Sequence, residues 1–217
     1  MQPWLRAVYI LTLAQFIIRL GMTIVRPYFA FYLPELGVTA PEAIAFWAGL
    51  LGSISFLSQT FVAPFWGIAA DRYGKKRMII RSAVAVCIAN FLMAQVGDVY
   101  QLFALRIFLG LLGGFNAAAL ALLTTITPQN KLGFSVGLLQ SGQMAGSLLG
   151  PAIGGVVAEV GSLSTGFNIA ALLVAIVLPL IIFFVNESDT ANKPAIKKKE
   201  KILLPGWKII FSNPVLI

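Results

Sequence analysis

Six apolar blocks, each long enough to cross a lipid bilayer, follow one another along this chain, and they constrain its fold more than any other feature. A membrane-spanning helix needs about 20 predominantly apolar residues. The blocks cover residues 7–31, 44–69, 78–96, 100–126, 132–157 and 167–185. Because the first block is too long for a signal peptide and carries no small-residue cleavage site, we interpret it as a retained span.

The composition indicates a chain whose main solvent is lipid. Of its 217 residues, 59% are hydrophobic and 11% are charged, whereas a soluble domain has about 25% charged residues. A soluble fold cannot bury so much apolar surface, which excludes cytosolic enzymes, secreted disulfide modules and disordered regulators. No zinc motif, nucleophile triad or phosphate-binding loop occurs in the sequence, so an enzyme is not expected. The sequence predicts an all-α polytopic membrane protein with a six-span bundle over residues 1–185.

The connectors between the blocks alternate in charge. The first, third and fifth connectors hold acids and no base. Most lysines and arginines lie in the second and fourth connectors, before the first block or after the last block. By the positive-inside rule, this pattern places the N-terminus and the segment after residue 185 in the cytoplasm. The net charge of +8 therefore indicates membrane orientation, and no nucleic-acid partner is expected.

The end of the chain differs from the rest. Residues 186–212 are predicted to form a basic cytoplasmic linker with a short interfacial helix at 202–211. Residues 213–217 are predicted to begin a further, truncated span. We therefore expect the chain to be half of a longer multi-pass protein of the cell membrane.

A charged loop framed by glycines is predicted between the second and third spans, with the sequence GIAADRYGKKRMIIR. Asp71 is the only acid among five bases there, so we expect it to pair with Arg81 or to cap a helix N-terminus. The alternative is a basic loop that only sets topology, which would explain the bases but not the acid. The candidate residues of this loop are Gly67, Asp71, Arg72, Gly74, Lys75, Lys76 and Arg81.

An arginine lies inside the fourth predicted span, followed by small residues at helical spacing. The set is Arg106, Gly110, Gly113, Ala117 and Ala121, which would share one face of a continuous helix. Burying an arginine at the centre of a span costs at least ~2.5–3.5 kcal/mol, so its side chain should face protein or a water-filled cavity. We interpret Arg106 as a cavity residue; the alternative is that it snorkels or braces the bundle.

The first predicted span carries two further arginines, Arg19 and Arg26, seven residues apart and therefore on one helical face. Arg19 is expected in the cavity, and Arg26 either contacts substrate or snorkels to the outer surface. Amides at membrane depth are further candidates, although such groups also join helices by hydrogen bonds. The candidate substrate contacts are Arg26, Gln59, Asn116 and Gln143.

The fifth predicted span carries a ridge of glycines at every fourth position. Gly142, Gly146, Gly150 and Gly154 recur at this spacing, with Pro151 and Gly155 added. Glycines four residues apart let two helix backbones approach closely. A proline inside a helix removes a backbone donor and bends the helix. We expect this ridge to pack against another span.

These motifs resemble those of the major facilitator superfamily. The pattern over residues 67–76 is similar to its loop signature, and Arg106 with Gly110 resembles its fourth-span motif. The string GSLLGPAIGG resembles its antiporter motif at Gly146, Gly150, Pro151, Gly154 and Gly155, and GMTIVRPYFAFYLPELG resembles its first-span signature. The resemblance implies the N-terminal six-span half of a twelve-span drug:proton antiporter that works by alternating access.

The resemblance also implies roles and partners. Asp71 and its neighbouring bases would contact the second half, and Arg106 would take part in proton coupling. The proton gradient would supply energy without a cofactor or metal, and the partners would be the lipid bilayer, a small amphiphilic substrate and a C-terminal six-span half.

One feature departs from this pattern, because all eight acids lie in connectors or at span ends. The proton carrier is then in the other half or is Asp71, or coupling is not to protons. Two alternatives stay open: a flippase or transporter of anionic or zwitterionic lipids or solutes on the same scaffold, and a non-transporting six-span fragment.

Overall fold

The computed structural model describes residues 2–160 and 163–185. These residues form eight α-helices, connected in part by short 3-10 turns at Arg26–Tyr28 and Gln129–Lys131, and contain no strand. The helices are α1 (Pro3–Ile24), α2 (Phe29–Tyr32), α3 (Pro41–Tyr73), α4 (Lys75–Met93), α5 (Val99–Leu112), α6 (Phe115–Ile126), α7 (Leu132–Val160) and α8 (Leu163–Phe184). The linker and truncated span expected over residues 186–217 lie outside the described residues.

Four stretches of the described chain are long and apolar enough to cross a membrane: Pro3–Ile24, Pro41–Tyr73, Val99–Ile126 and Ser164–Phe184. The two other predicted spans are helices α4 and α7. Helix α4 opens with three consecutive bases, and α7 is rich in glycine with two glutamines, which lowers the hydropathy of both. The division into six spans therefore stays a prediction.

The first span ends earlier than its apolar block predicts. Helix α1 stops at Ile24, and the chain continues as the 3-10 turn and the four-residue helix α2. Pro27 accounts for this break, because proline lacks a backbone N–H and disfavours the α conformation at the residue before it. The predicted span over residues 7–31 is therefore not one continuous helix, and Arg26 lies just beyond α1 with an exposed side chain.

The fourth span is broken in the middle. Helix α5 ends at Leu112 and α6 begins at Phe115, with two glycines between them. Gly114 has a φ of 101°, a left-handed conformation that glycine adopts without steric cost. The continuous helical face predicted from Arg106 to Ala121 is therefore wrong.

The predicted loop between the second and third spans is a single residue. Gly74, at φ 98°, joins α3 directly to α4, and its N–H donates to the Ala70 carbonyl at 3.0 Å. Asp71 consequently lies in the last turn of α3 and not in a loop. Since charged residues are tolerated where helices leave the hydrocarbon core, the charged motif extends the two helices without ending them early.

Basic residues gather at one end of the bundle. The guanidinium of Arg6 lies 4.4 Å from the centroid of the Phe184 ring. Lys76 Nζ donates to the Ile182 carbonyl at 2.8 Å, and Lys75 Nζ donates to the hydroxyl of Thr125. These contacts bring together the starts of α1 and α4 with the ends of α6 and α8.

The opposite end carries acids and aromatic rings. Asp98 caps α5 by accepting from the Tyr100 N–H at 3.2 Å. The Trp47 ring lies 5.3 Å from the ring of Tyr100 and 5.9 Å from that of Phe103, both edge-on. Tryptophan and tyrosine concentrate at membrane–water interfaces, so this cluster is placed as an interfacial anchor would be.

Helix α1 is the central element of the bundle, because it packs against both α7 and α8. The glycine ridge of α7 faces it. A β-carbon built at Gly142 would lie 2.8 Å from the Thr12 carbonyl oxygen, and one at Gly154 would overlap the carbonyl of Ile24. The Thr23 hydroxyl donates across the same interface to the Gly146 carbonyl at 3.1 Å. The ridge therefore lets two backbones meet with almost no side chain between them.

Helix α7 continues through Pro151. The Tyr28 hydroxyl, from the turn after α1, donates to the Pro151 carbonyl at 3.2 Å. A β-carbon at Gly155 would lie 2.9 Å from that same hydroxyl. This part of the antiporter-like motif thus holds the C-terminal part of α7 against the chain that follows α1.

Candidate functional site

A cavity of about 90 Å³ lies between α1, α3, α5 and α6. The three arginines predicted within spans, Arg19, Arg26 and Arg106, all line it. Gln59 and Asn116 line it as well, as does Gly110. The structure therefore brings together on one surface six candidate residues that are spread over nearly 100 positions of sequence.

Two of the three arginines lie against aromatic rings. Arg26 donates from Nη2 to the Gly52 carbonyl at 3.0 Å, and its guanidinium lies 4.7 Å from the centroid of the Phe56 ring. The guanidinium of Arg106 lies 4.3 Å from the centroid of the Phe29 ring, and its Nε is buried without a hydrogen-bond partner. Attraction between an arginine and a ring face stabilises such placements where water is scarce.

Helix α5 is fixed to α3 immediately beside Arg106. The Ser55 hydroxyl donates to the Arg106 carbonyl at 2.8 Å. One turn further on, a β-carbon at Gly110 would lie 2.7 Å from Cβ of Ser58 and would overlap the Ser55 carbonyl. The absence of a side chain at Gly110 therefore allows α3 to approach closely enough for Arg106 to enter the cavity wall.

An amide cluster joins α1, α6 and α7 next to the cavity. Gln15 Nε2 donates to Asn116 Oδ1 at 3.2 Å and to Gln143 Oε1 at 2.9 Å. Gln15 and Asn116 line the cavity, whereas Gln143 does not. The candidate Gln143 therefore reaches the site through Gln15.

A second cavity of about 320 Å³ lies on the side of the bundle toward the α3–α4 turn. It shares Gln59, Gly113 and Gly114 with the first cavity, and Asp71 and Arg81 line it. The break between α5 and α6 consequently lies between the two cavities. Ala117 and Ala121, predicted on the same face as Arg106, line the second cavity instead.

Arg81 stabilises this break together with Trp66. Its guanidinium lies 3.4 Å from the centroid of the Trp66 ring, and its Nη2 donates to the Gly113 carbonyl at 3.2 Å. Trp66 Nε1 donates to the Leu111 carbonyl at 2.6 Å. Two carbonyls at the end of α5 thus find donors on α3 and α4, as backbone groups at membrane depth require.

The predicted partners of Asp71 are wrong. Arg81 faces Trp66 and Gly113, and among the described residues it forms no ion pair with Asp71. Gly74 precedes α4, and no side chain caps that helix. Asp71 is an exposed residue near the C-terminus of α3, where the helix dipole does not favour an acid.

The remaining candidates of the charged loop and of the glycine ridge do not line the first cavity. The Arg72 guanidinium lies 5.4 Å from the centroid of the Tyr73 ring, and Gly67 has open space where a β-carbon would stand. The antiporter-like residues lie at the α1–α7 interface and line neither described cavity. Within residues 2–160 and 163–185, no group of three or more histidine, cysteine, aspartate or glutamate side chains is placed to hold a metal ion.

The family model of the Major Facilitator Superfamily matches residues 11–217. The chain belongs to the major facilitator superfamily. The predicted fold class, an all-α membrane protein corresponding to the N-terminal six-helix half of the major facilitator fold, is therefore confirmed.

Curated relatives and a solved structure agree with this membership. The chain is 37% identical over 214 residues to "Multidrug resistance protein MdtG" of Salmonella arizonae and 38% identical over 216 residues to the protein of that name from Yersinia enterocolitica. Each match covers 99% of this chain and 52% or 51% of the relative, so the chain spans about half the length of these relatives. The human organic anion transporter MFSD10 shares the fold, with a TM-score of 0.76 at 19% identity over 86% of this chain and 49% of that one.

Several residues of this candidate site were not among the predicted candidates. Ser55, Thr23 and Phe29 each contact a candidate residue or its backbone, but single polar or aromatic residues in an apolar span carry no distinctive pattern. For Gln15 a sequence signal existed, because it is an amide inside the first apolar block. The Gly113–Gly114 pair was the available signal for the break, since adjacent glycines weaken a helix.

Proposed function

We propose that this chain is the N-terminal half of a secondary active transporter that exports small amphiphilic compounds across the cell membrane by alternating access. The observation that carries the proposal is the cavity of charged and amide side chains inside a major facilitator bundle. Polar groups at membrane depth are costly and mark substrate pathways. The name of the matched relatives, "Multidrug resistance protein MdtG", supports a multidrug substrate range and a transporter rather than an enzyme.

The intact transporter would need a second six-span half. Matched relatives are about twice as long as this chain. Helices α3 and α7 also present large apolar side chains to their surroundings, with Phe61 76% and Leu148 78% exposed. We propose that the second half and the lipid bilayer cover these faces, with the N-terminus and the basic end of the bundle in the cytoplasm.

The coupling ion is proposed to be the proton, with no cofactor. Proton coupling needs a carboxylate within reach of the transport pathway. Among the described residues, no aspartate or glutamate lines the cavity formed around Arg19, Arg26 and Arg106 (the arginine cavity), whereas Asp71 lines the second cavity. The proton carrier is then either Asp71 or a carboxylate of the second half, and Arg106 acts through its positive charge.

A second candidate function is a flippase or transporter of anionic or zwitterionic lipids or solutes. The convergence of Arg19, Arg26 and Arg106 on one cavity favours it. Export of water-soluble dyes from the cell interior would favour efflux, whereas movement of labelled phospholipid between leaflets of a proteoliposome would favour the flippase.

The test of the proposed function is dye efflux from cells that express the intact transporter, with and without a protonophore. We expect efflux that the protonophore abolishes and that Arg106→Ala and Asp71→Asn each reduce strongly. Lys131→Gln, at an exposed turn that lines neither cavity, is the matched control. Efflux that persists without a proton gradient would exclude proton coupling, and unchanged efflux in both variants would exclude the assigned residues.

A further inference from the structure

The arginine cavity carries a positive charge that no side chain of the described bundle neutralises. Three guanidinium groups line it, and its lining includes no aspartate or glutamate. Of the three, Arg106 is buried, and a buried charge without a counter-charge is strongly destabilising. A bound anion would supply the missing counter-charge.

The contacts of the three arginines identify which of them is available to a ligand. Arg26 is held by the Gly52 carbonyl and the Phe56 ring, and Arg106 lies against the Phe29 ring. Arg19 lines the cavity, and within the described residues its guanidinium has neither a hydrogen bond nor an aromatic ring contact. Its five donors are therefore free for a ligand.

Two further polar groups lie around the same space. Arg106 is only 8% exposed and its Nε is buried without a partner, so an anion in the cavity would stabilise its charge without contacting Nε. Asn116 Oδ1 already accepts from Gln15, so its NH₂ group is the part of this amide left to bind an acceptor. Both residues line the cavity with Arg19.

The cavity also has an apolar side. Ile18, Met22, Phe56 and Leu109 line it together with the charged groups. A ligand that fits has an acidic head group and an apolar body, because each part then meets a matching surface.

We propose that this cavity binds the acidic group, a carboxylate, phosphonate or sulfonate, of an amphiphilic anion, with Arg19 as its direct contact and the positive charge of Arg106 as a second attraction. An arginine binds such oxyanions through two parallel N–H···O bonds. The inference rests on the proposed efflux function and narrows its substrates to anions, in contrast to lipophilic cations.

The test compares two xanthene dyes of similar size and opposite charge, carboxyfluorescein and rhodamine 6G, with the intact transporter in inverted membrane vesicles. We expect carboxyfluorescein to be transported in preference. Arg19→Gln should raise its KM at least about tenfold, the loss expected for a charge-assisted hydrogen-bonded pair. Arg19→Lys, which keeps the charge but not the paired geometry, should restore part of this affinity.

Arg6→Gln is the matched control, since Arg6 lies on the same helix, is exposed and is outside the cavity. Its KM for carboxyfluorescein should equal that of the unaltered protein. A preference for rhodamine 6G that survives Arg19→Gln would overturn the anion site while leaving efflux intact.

A direct binding measurement tests the anion site independently of transport. Fluorescence anisotropy of carboxyfluorescein with the purified intact protein should report binding that Arg19→Gln weakens and Arg6→Gln does not. Binding without transport of either dye would contradict the efflux proposal alone. Absence of carboxyfluorescein binding to the unaltered protein would overturn the anion site.

Discussion

The glycine ridge of α7 allows a stability prediction with an internal control. Replacing Gly142 by alanine places a β-carbon 2.8 Å from the Thr12 carbonyl oxygen, whereas ordinary contacts of β-carbons begin near 3.4 Å. The oxygen belongs to the backbone of α1 and cannot rotate away. Helix α7 must therefore retreat from α1 by roughly 0.6 Å along this contact, which is overpacking in a closely packed interface.

The cost of this retreat follows from the distance dependence of dispersion. A gap of 0.5–1 Å forfeits about a quarter to a half of each atom-pair contact, and each pair contributes about 0.1–0.2 kcal/mol. Over some tens of pairs along the ridge, the loss is about 1–3 kcal/mol, the usual range for overpacking. We therefore expect Gly142→Ala to lower the Tm of the purified intact protein in detergent.

Gly137→Ala is the matched control five residues earlier on the same helix. Among the described residues, no neighbouring atom lies within 4 Å of a β-carbon at Gly137. Alanine there should be neutral or should stabilise the helix by up to about 1 kcal/mol, because glycine is the weaker helix former. Equal Tm values for the two variants, or a Gly142→Ala protein as stable as the parent, would refute the interpretation of the ridge as a backbone contact.

Three further predictions concern two particular contacts and the membrane topology. Trp66→Phe removes the indole donor to the α5 carbonyl and should lower the Tm by the equivalent of about 1–2 kcal/mol in the same thermal assay, whereas an unchanged Tm would show that the break does not depend on this bond. Thr23→Val keeps the side-chain shape but deletes the hydrogen bond to Gly146, and chemical unfolding should show a loss of about 0.6 kcal/mol, typical of such bonds between membrane helices. Cysteines placed at Glu35 and Lys131, in a background with Cys87 replaced, should react with a membrane-impermeant maleimide from opposite sides of the cell membrane, and labelling of both from one side would contradict the proposed topology.

The helical class and the identity of the charged cavity residues could be predicted from the sequence because lipid imposes strong rules. An arginine in an apolar span must face protein or water, so Arg19 and Arg106 were expected in a cavity, and the structure places both in the wall of one. The glycine spacing similarly indicated a close helix contact, although not that α1 would be the partner. These inferences use only composition and periodicity.

The breaks and pairings could not be predicted in the same way. Hydropathy does not distinguish a continuous span from one interrupted at Gly113 and Gly114, because the residues on both sides of the two glycines are apolar. The partner of Arg81 depends on the position of Trp66, fifteen residues earlier on a neighbouring helix, and electrostatics alone favoured Asp71. When an arginine could contact a carboxylate, an aromatic ring or a backbone carbonyl, the relative placement of the helices determines which partner it contacts.

The contact between α1 and α7 also limits how this half can move. Where backbone lies directly on backbone, side chains cannot change rotamer to accommodate sliding or separation of the helices. We therefore expect α1 and α7 to move as one rigid pair. Shape change during a transport cycle would then concentrate at the jointed elements, the turn at Pro27 and the glycine pair between α5 and α6. A disulfide that fastened α1 to α7 should leave the cycle running, whereas one that bridged α5 to α6 across their joint should arrest it.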